Sequence, residues 1–284
     1  MSYYGSIEAG GTKFVCAVAD EELSIIERIS IPTTLPEETL AQVFDFFDRY
    51  ELKGLGVGSF GPIDVNEQSE TYGYITSTPK NGWRNIDLLG LLKSRYALPI
   101  AWTTDVNAAA YGEMHLGAGR NTQNCLYLTV GTGVGGGAVV QGSILHGFSH
   151  PEMGHISVTR HPEDSFESTC PYHDHCLEGL AAGPALEKRT GVKGQLVAVD
   201  HAVWELEAFY LAQALMNYTL ILSPEKIILG GGVMKQTHLL EKIRQSLEEQ
   251  LGGYVSLPDD YIVSCGLGDN SGTIGCLLLA KEGA

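Results

Sequence analysis

Between His150 and Gly179 the chain gathers the side chains best suited to chemistry. Cys170, His173 and Cys176 stand at C-x-x-H-x-x-C spacing, which lets one short loop wrap a tetrahedral ion. One ligand from a separate segment would close the shell, and His155, beside Gly154, is the natural fourth. Four protein ligands leave no open position for water, so a zinc held this way is structural rather than a Lewis acid. Two alternatives stay open: His175 competes with His173 for a ligand position, and Cys170 and Cys176 could pair as a disulfide in an oxidising compartment. His150 and His161 read as ordinary surface residues. Glu152 and Glu178 flank the ligands, where carboxylates braced by a metal loop can accept hydrogen bonds from a polyhydroxyl ligand.

Three glycine clusters suggest a second ligand. Gly10, Gly11 and Thr12 join two strand candidates, with Lys13 beside them, and Gly131 to Gly137 repeats that design around Thr132 and Gly133. Such hairpin tips expose backbone N–H groups beside a hydroxyl, which suits phosphate. The turn Gly230, Gly231 and Gly232 lacks side chains where a flat ring could pack. Two phosphate tips and one base-binding turn describe a nucleoside triphosphate site. No G-x-x-x-x-G-K-[ST] occurs, and the second cluster joins strands instead of opening a helix, which argues against a P-loop and against a dinucleotide fold. Asp105, where a strand passes into a helix, is the candidate general base for phosphoryl transfer to a hydroxyl with Mg²⁺, although Asp is also a common helix cap. In the irregular stretch 66–83, Trp83 offers a flat apolar face for a sugar and Asn81 a paired donor and acceptor; the competing role for Trp83 is loop anchor.

The composition sets limits. The 284 residues suffice for one large or two modest domains, and 18 basic against 34 acidic residues give a net charge of −16. That balance, with no Lys/Arg cluster, argues against nucleic acid and against an anionic membrane surface as partners. No basic or apolar leader marks the N-terminus and no apolar run reaches membrane length, so a cytoplasmic protein is expected. Six cysteines in that setting read as thiols or ligands, with Cys16, Cys125, Cys265 and Cys276 as core residues.

The elements that must position these groups come in a repeated order. Strands are predicted near 3–8, 14–19, 24–31, 54–59 and 99–103, and a helix after Thr34-x-x-Glu37, which reads as a capping box. Further helices are predicted over about 86–96 and 105–116. The pattern restarts at 125–130 and 138–140 and continues through a long helix that Asp200 could cap, a strand at 226–229, a helix at 239–251, a strand near 262 and a last helix over 272–280. Two α/β units, each opened by a glycine hairpin, imply an internal duplication with the ligands held in an interdomain cleft.

These motifs resemble the ROK family of repressors, open reading frames and sugar kinases, closest to its bacterial fructokinase branch, over essentially the whole chain. Ile7-Glu8-Ala9-Gly10-Gly11-Thr12-Lys13 resembles its first phosphate motif, with Glu8 in place of the commoner Asp, and Gly131 to Gly137 its second. Thr104-Asp105-Val106-Asn107 resembles the catalytic-base motif, which implies a base at Asp105 and a sugar contact at Asn107. The resemblance also implies sugar contacts at Glu152, His155 and Glu178, with His155 a zinc ligand as well. It implies adenosine contacts at Pro184 and at Gly230 through Val233 and Met234. Gly268-Asp269-Asn270 matches a motif before the last helix, and Pro79-Lys80-x-x-Trp83 is typical of the fructokinase branch.

The implied fold is the actin/hexokinase-like ATPase fold, ribonuclease H-like α/β domains in duplicate: 1–115 plus the helix at about 268–284 as a small domain, 116–267 as a large one carrying the zinc loop. The implied activity is ATP-dependent phosphorylation of a hexose, D-fructose to fructose 6-phosphate first, with ATP, Mg²⁺ and a structural Zn²⁺. Glucose, mannose or an N-acetylated sugar are alternative substrates, and a non-catalytic sugar sensor is the alternative of another class. A DNA-binding repressor is disfavoured, because the first strand is expected from Tyr3. A homodimer is one candidate oligomeric state.

Overall fold

The computed structural model describes residues 2–284, and they fall into two compact units. The first comprises the residues through Gly117, with Ile144–Pro151 and Leu267–Ala284; the second comprises Ala118–Ser143 and Glu152–Gly266. The first unit runs β1 (Tyr3–Ala9), β2 (Lys13–Ala19), β3 (Ile25–Pro32), α1 (Pro36–Phe47), β4 (Leu52–Ser59), β5 (Tyr74–Ile75), β6 (Ile86–Asp87), α2 (Leu88–Arg95), β7 (Ile100–Thr104) and α3 (Asp105–Leu116). The second continues with β8 (Cys125–Val130), β9 (Val134–Val140), β10 (Ser143–Ile144, whose second residue is counted with the first unit), α4 (Leu177–Ala181), α5 (Gly183–Thr190), α6 (Val203–Leu222), β11 (Lys226–Gly230), α7 (His238–Leu251) and β12 (Ile262–Ser264). The last helix, α8 (Ser271–Glu282), returns to the first unit.

Each unit is built on a five-stranded sheet, and the two share one topology: β3-β2-β1-β4-β7 and β10-β9-β8-β11-β12. In each, an antiparallel glycine hairpin (β1/β2, β8/β9) is extended by two parallel strands. The duplication read from the sequence is therefore real at the level of topology.

In the first sheet β4 carries two chemically different faces. Leu55 and Val57 are fully buried in a core with Phe14, Phe47, Leu88 and Trp83. The other face is Gly54, Gly56 and Gly58, a period of two. A Cβ on Gly56 would lie 1.9 Å from the Cys276 carbonyl oxygen of α8, and one on Gly58 would lie 3.2 Å from the Cα of Asp105. The helices α8 and α3 thus press their backbones onto this strand, and against each other through Gly275, whose Cβ would meet the Ala108 carbonyl oxygen at 1.7 Å.

Several local expectations change. No capping box forms at α1: Leu35 occupies the cap position without a side-chain bond, and Thr34 donates its amide to the Thr39 hydroxyl, 3.0 Å away. Asp200 caps nothing, because α6 starts from Ala202. The stretch 66–83 contains one strand of a two-stranded ribbon, β5 with β6, and Ile75 also bridges to Ile63. Trp83 is fully buried, its ring between Phe14 and Phe60 and its Nε1 donating to the Thr34 carbonyl at 2.7 Å. A ring with no exposed face cannot pack on a sugar, so Trp83 anchors its loop. Asn81 is exposed on that loop. His150, expected at the surface, is buried, and Cys265, expected in the core, is half-buried.

The second unit holds a charged cluster inside its core. Arg189 donates to Asp164 at 2.7 Å and lies over the Phe166 ring; Tyr210 also donates to Asp164 at 2.7 Å. Burial would raise the Asp164 carboxyl, but these bonds outweigh it and hold the group below its usual range. Glu207 of α6 is 1% exposed, and neither of its oxygens has a hydrogen-bond partner among the described residues. Burial drives its carboxyl well above the usual range, with Arg189 opposing. A raised folded-state value means the neutral acid is favoured in the native protein. Its stabilising state is fully present below the unfolded value and is lost as pH rises toward the folded one. We therefore predict that Glu207→Gln, neutral at every pH, melts above the parent at pH 8, and that the gap closes toward pH 4. A melting temperature for Glu207→Gln below the parent at pH 8 would mean that Glu207 is charged and paired.

Candidate active site

The first unit brings a hairpin and a carboxylate to one edge of its sheet. The residues ending β1, β4 and β7 pair in register, Glu8 with Gly58, Ala9 with Ser59 and Ser59 with Thr104, so the tip 10–13 and Asp105 both emerge at the carboxyl ends of parallel strands. Open α/β sheets bind ligands at that end. Thr104, not Asp105, is the cap of α3: its hydroxyl accepts the Asn107 amide at 3.1 Å. Asp105 is the first helical residue, half-buried, and accepts its neighbour's amide at 2.9 Å. Asn107 is 2% exposed, donates to the Thr103 hydroxyl at 3.3 Å, and its Oδ1 has no partner among the described residues.

The tip itself is pre-ordered. Gly10 donates to the Lys13 carbonyl, and Thr33 donates its amide to the Thr12 carbonyl and its hydroxyl to the Gly10 carbonyl at 2.7 Å. The carbonyls of Gly10, Thr12 and Lys13 are thus occupied, while the amides of Gly11 and Thr12 stay unpaired among the described residues, the polarity an anion needs. Thr33 carried no sequence signal. Below the tip, burial raises the Glu8 carboxyl, partly offset by the Thr273 hydroxyl at 3.3 Å in the first turn of α8.

The second unit assembles three groups. In its hairpin, Gly131 donates to the Gly133 carbonyl and accepts from the Gly183 amide at 2.7 Å, leaving the amides of Thr132 and Gly133 unpaired among the described residues. The Gly183 contact brings Pro184, at the start of α5, beside this turn. Gly232 approaches from the end of β11: a Cβ on Gly131 would lie 3.7 Å from its nitrogen, and nothing lies within 4 Å of one on Gly232 itself. Gly231 has φ +92°, where a Cβ would also strike the Val130 carbonyl at 2.3 Å. Val233 and Met234 are buried behind the turn.

The metal-ligand candidates converge as well. The ligand atoms of His155, Cys170, His173 and Cys176 all lie within 4.8 Å of one another, and His175 is not in the group. Cys170 Sγ is 3.8 Å from His155 Nδ1 and 3.6 Å from His173 Nδ1, and Cys176 Sγ is 3.7 Å from His155 Nδ1. A tetrahedral ion with bonds of about 2.3 Å to sulfur and about 2.0 Å to nitrogen has S···N edges of about 3.5 Å. The donor set therefore fits zinc in both type and spacing. A bridge between Ser157 and Cys176 pins the two contributing segments together. Burial pushes the Cys176 thiol up to about 11, so a thiolate at this position needs a cation beside it.

Glu178 links these groups. Its Oε2 accepts the Val134 amide of the hairpin at 3.0 Å, and its Oε1 faces His155 Nε2 at 3.9 Å. Sequence reasoning had Glu178 as a carboxylate near the metal loop but missed its bond to the hairpin. Gly133 was the available signal: a Cβ there would lie 2.6 Å from Glu178 Oε2. Gly154 answers a different contact, since its Cβ would sit 1.8 Å from the Val134 carbonyl oxygen. Glu152, two residues before it, is exposed.

Paired sheets of this topology, each with a glycine hairpin at its ligand-binding edge, define the actin/hexokinase-like ATPase fold. The chain belongs to the ROK family, whose model matches residues 4–283. It is 53% identical to the fructokinase of Pediococcus pentosaceus, over 98% of this chain and 97% of that protein. It is 31% identical to the glucokinase of Halalkalibacterium halodurans, over 99% and 95% respectively. The crystal structure of a ROK family glucokinase from Streptomyces griseus in complex with glucose and AMPPNP matches with a TM-score of 0.81 at 25% identity, over 99% of this chain and all of that one. Among the described residues no helix is long and apolar enough to cross a membrane.

Proposed function

We propose that this chain is an ATP-dependent hexose kinase that converts D-fructose to fructose 6-phosphate. Glu178 carries the reading: one carboxylate joins a phosphate-type hairpin to the histidine of a metal loop. The 3.9 Å between its Oε1 and His155 Nε2 is too long for a direct hydrogen bond. It is the span that a single hydroxyl closes by donating to the carboxylate and accepting from the imidazole, with each bond about 2.8 Å. In this reading Glu152, His155 and Glu178 bind the sugar, and Asn107 contributes its carboxamide. The hairpins 10–13 and 131–137 hold the phosphates through main-chain amides, with Lys13 as a supplementary charge. Pro184 and the turn 230–234 receive adenosine.

Asp105 takes the proton of the attacking hydroxyl as the oxygen–phosphorus bond forms and the bond to the β-phosphate oxygen breaks, releasing ADP. A bound Mg²⁺ would supply neutralising charge at the phosphates. The preference for fructose rests on the relatives, because Trp83 is removed from the sugar site. The curated fructokinase shares far more of this sequence than the curated glucokinase does.

A coupled ADP-release assay over a panel of hexoses tests the substrate. We expect kcat/KM for D-fructose to exceed that for D-glucose by about tenfold or more, since hydroxyls that leave site groups unpaired are penalised. Equal efficiency on glucose would leave only a general sugar kinase. Asp105→Asn keeps the shape and removes the base, so kcat should fall by about 10²–10⁴ with sugar affinity little changed. Turnover within a few-fold of the parent would assign the proton to another group.

The metal loop reads as a structural zinc site, with His155, Cys170, His173 and Cys176 as ligands. Nδ1 of His155 faces the sulfurs, which leaves Nε2 to the sugar side and makes the metal a brace for the sugar-binding imidazole. Metal analysis of purified protein should find close to one zinc per chain. Cys176→Ala should lose the metal and sugar affinity together. Full occupancy in that variant would remove Cys176 from the shell, and full occupancy in His173→Ala with loss in His175→Ala would exchange the histidines.

A further inference from the structure

We propose that Tyr218 of α6 is a positioning residue for the sugar site, holding the turn that carries Glu152 and His155; the inference rests on the sugar-kinase reading above. The Tyr218 hydroxyl donates to the Met153 carbonyl at 2.5 Å. The residue is 4% exposed, and burial raises its phenol above the usual range, so the hydroxyl stays a donor. A buried phenol needs a hydrogen-bond partner. Here that partner is the main chain of the E-x-G-H motif.

The acceptor lies inside a closed turn. Met153–His155 forms a single turn of 3₁₀ helix, and the His155 amide donates to the Glu152 carbonyl at 3.0 Å. The Met153 peptide is therefore part of a hydrogen-bonded ring whose two ends are Glu152 and His155. The turn, β9 and α6 all belong to the second unit, so the contact is internal to it.

The turn meets β9 through close packing. A Cβ on Gly154 would lie 1.8 Å from the Val134 carbonyl oxygen, and one on Gly136 would lie 2.6 Å from Met153 Sδ. Such contacts limit how near the turn can come to the hairpin, but they have no direction and do not stop it rotating. A hydrogen bond has direction, and Tyr218 supplies it. The helix uses the same device on the segment that follows. Gln213 donates to the Thr159 carbonyl at 2.8 Å and accepts the Thr159 amide at 2.9 Å, and Tyr210 accepts the His161 amide at 3.1 Å. From Met153 to His161 the partners run backward along α6, and Tyr218 is the one whose bond falls within the sugar-binding motif. Without its hydroxyl, Glu152 and His155 would have to be ordered when the sugar arrives, and that cost falls on sugar affinity.

The test uses the intact protein with two substitutions. Tyr218→Phe removes one oxygen and keeps the ring. Tyr261→Phe is the control: Tyr261 is 5% exposed, and its hydroxyl is bonded at 2.9 Å to Thr219, the neighbour of Tyr218 on α6. A general loosening of α6 would affect both variants alike. We expect Tyr218→Phe to raise KM for D-fructose about fivefold, with kcat and KM for ATP within about twofold of the parent. Tyr261→Phe should leave all three within about twofold. Hydrogen exchange at the His155 amide should be about fivefold faster in Tyr218→Phe and unchanged in Tyr261→Phe.

An unchanged sugar KM in Tyr218→Phe, an equal sugar defect in Tyr261→Phe, or a parallel rise in KM for sugar and ATP would each overturn the proposal while leaving the kinase reading intact. If Tyr218→Phe does not fold, a ring-fluorinated tyrosine at position 218 decides. Its fluorine resonance should shift on adding D-fructose and not on adding ATP alone, and a resonance indifferent to fructose would overturn the role. A parent protein inactive on every hexose would instead overturn the kinase reading, and this role with it.

Discussion

The contact on which the first unit depends is between backbones. Gly54, Gly56 and Gly58 strip one face of β4 of side chains, and α8 and α3 settle directly on it. A methyl group at Gly56 would overlap the Cys276 carbonyl, and no rotamer change could relieve that, because the obstacle is main chain. The same strand packs Leu55 and Val57 into the apolar core on its other face, each worth roughly 1.5–3 kcal/mol of burial. One strand thus fixes two layers at once. The functional consequence is at its end, where Gly58 meets the backbone of Asp105. The depth at which the carboxylate sits is set by the Cβ atoms missing from three positions along a strand.

The second unit solves the corresponding problem with charge and metal-binding groups. Its glycine hairpin and its His/Cys cluster come from distant parts of the chain, and Glu178 lies between them, bonded to the Val134 amide and facing His155. The segment bearing His155 lies on β9 because Gly154 admits the Val134 carbonyl, and the Ser157–Cys176 bridge ties it to the cysteine loop. A preformed arrangement of this kind avoids ordering long polar side chains when ligand arrives, which is where binding energy would otherwise be lost. Each unit therefore presents main-chain amides from a hairpin with carbonyls on either side of its tip already occupied, and a carboxylate lies beside each, Glu8 in one and Glu178 in the other.

Much of this was legible in the sequence, because it rests on local rules. Strand period, glycine turns and the order of elements come from short-range sterics, and the duplicated topology came from noticing that order twice. The metal-ligand group was equally readable, since C-x-x-H-x-x-C spacing is a statement about what one loop can reach. The errors were all cases where a residue's role depends on what arrives from elsewhere. Thr34 and Asp200 have the chemistry of caps, yet Leu35 and Ala202 take the cap positions.

Trp83 and His150 mark the boundary most clearly. An indole in a polar loop and an imidazole beside a proline each suit the surface or a ligand, and their neighbours in sequence cannot decide between them. Phe14, Phe60 and the Thr34 carbonyl enclose the one, and the Ile63 amide holds the other. The sequence by itself determined the fold, the family and the residue types the chemistry needs. Only the tertiary structure decided which of those residues are buried, what each hydrogen bond spends itself on, and that Glu178 reaches the hairpin. Burial and hydrogen-bond pairing are properties of segments far apart in the chain, and spacing along the chain carries no record of them.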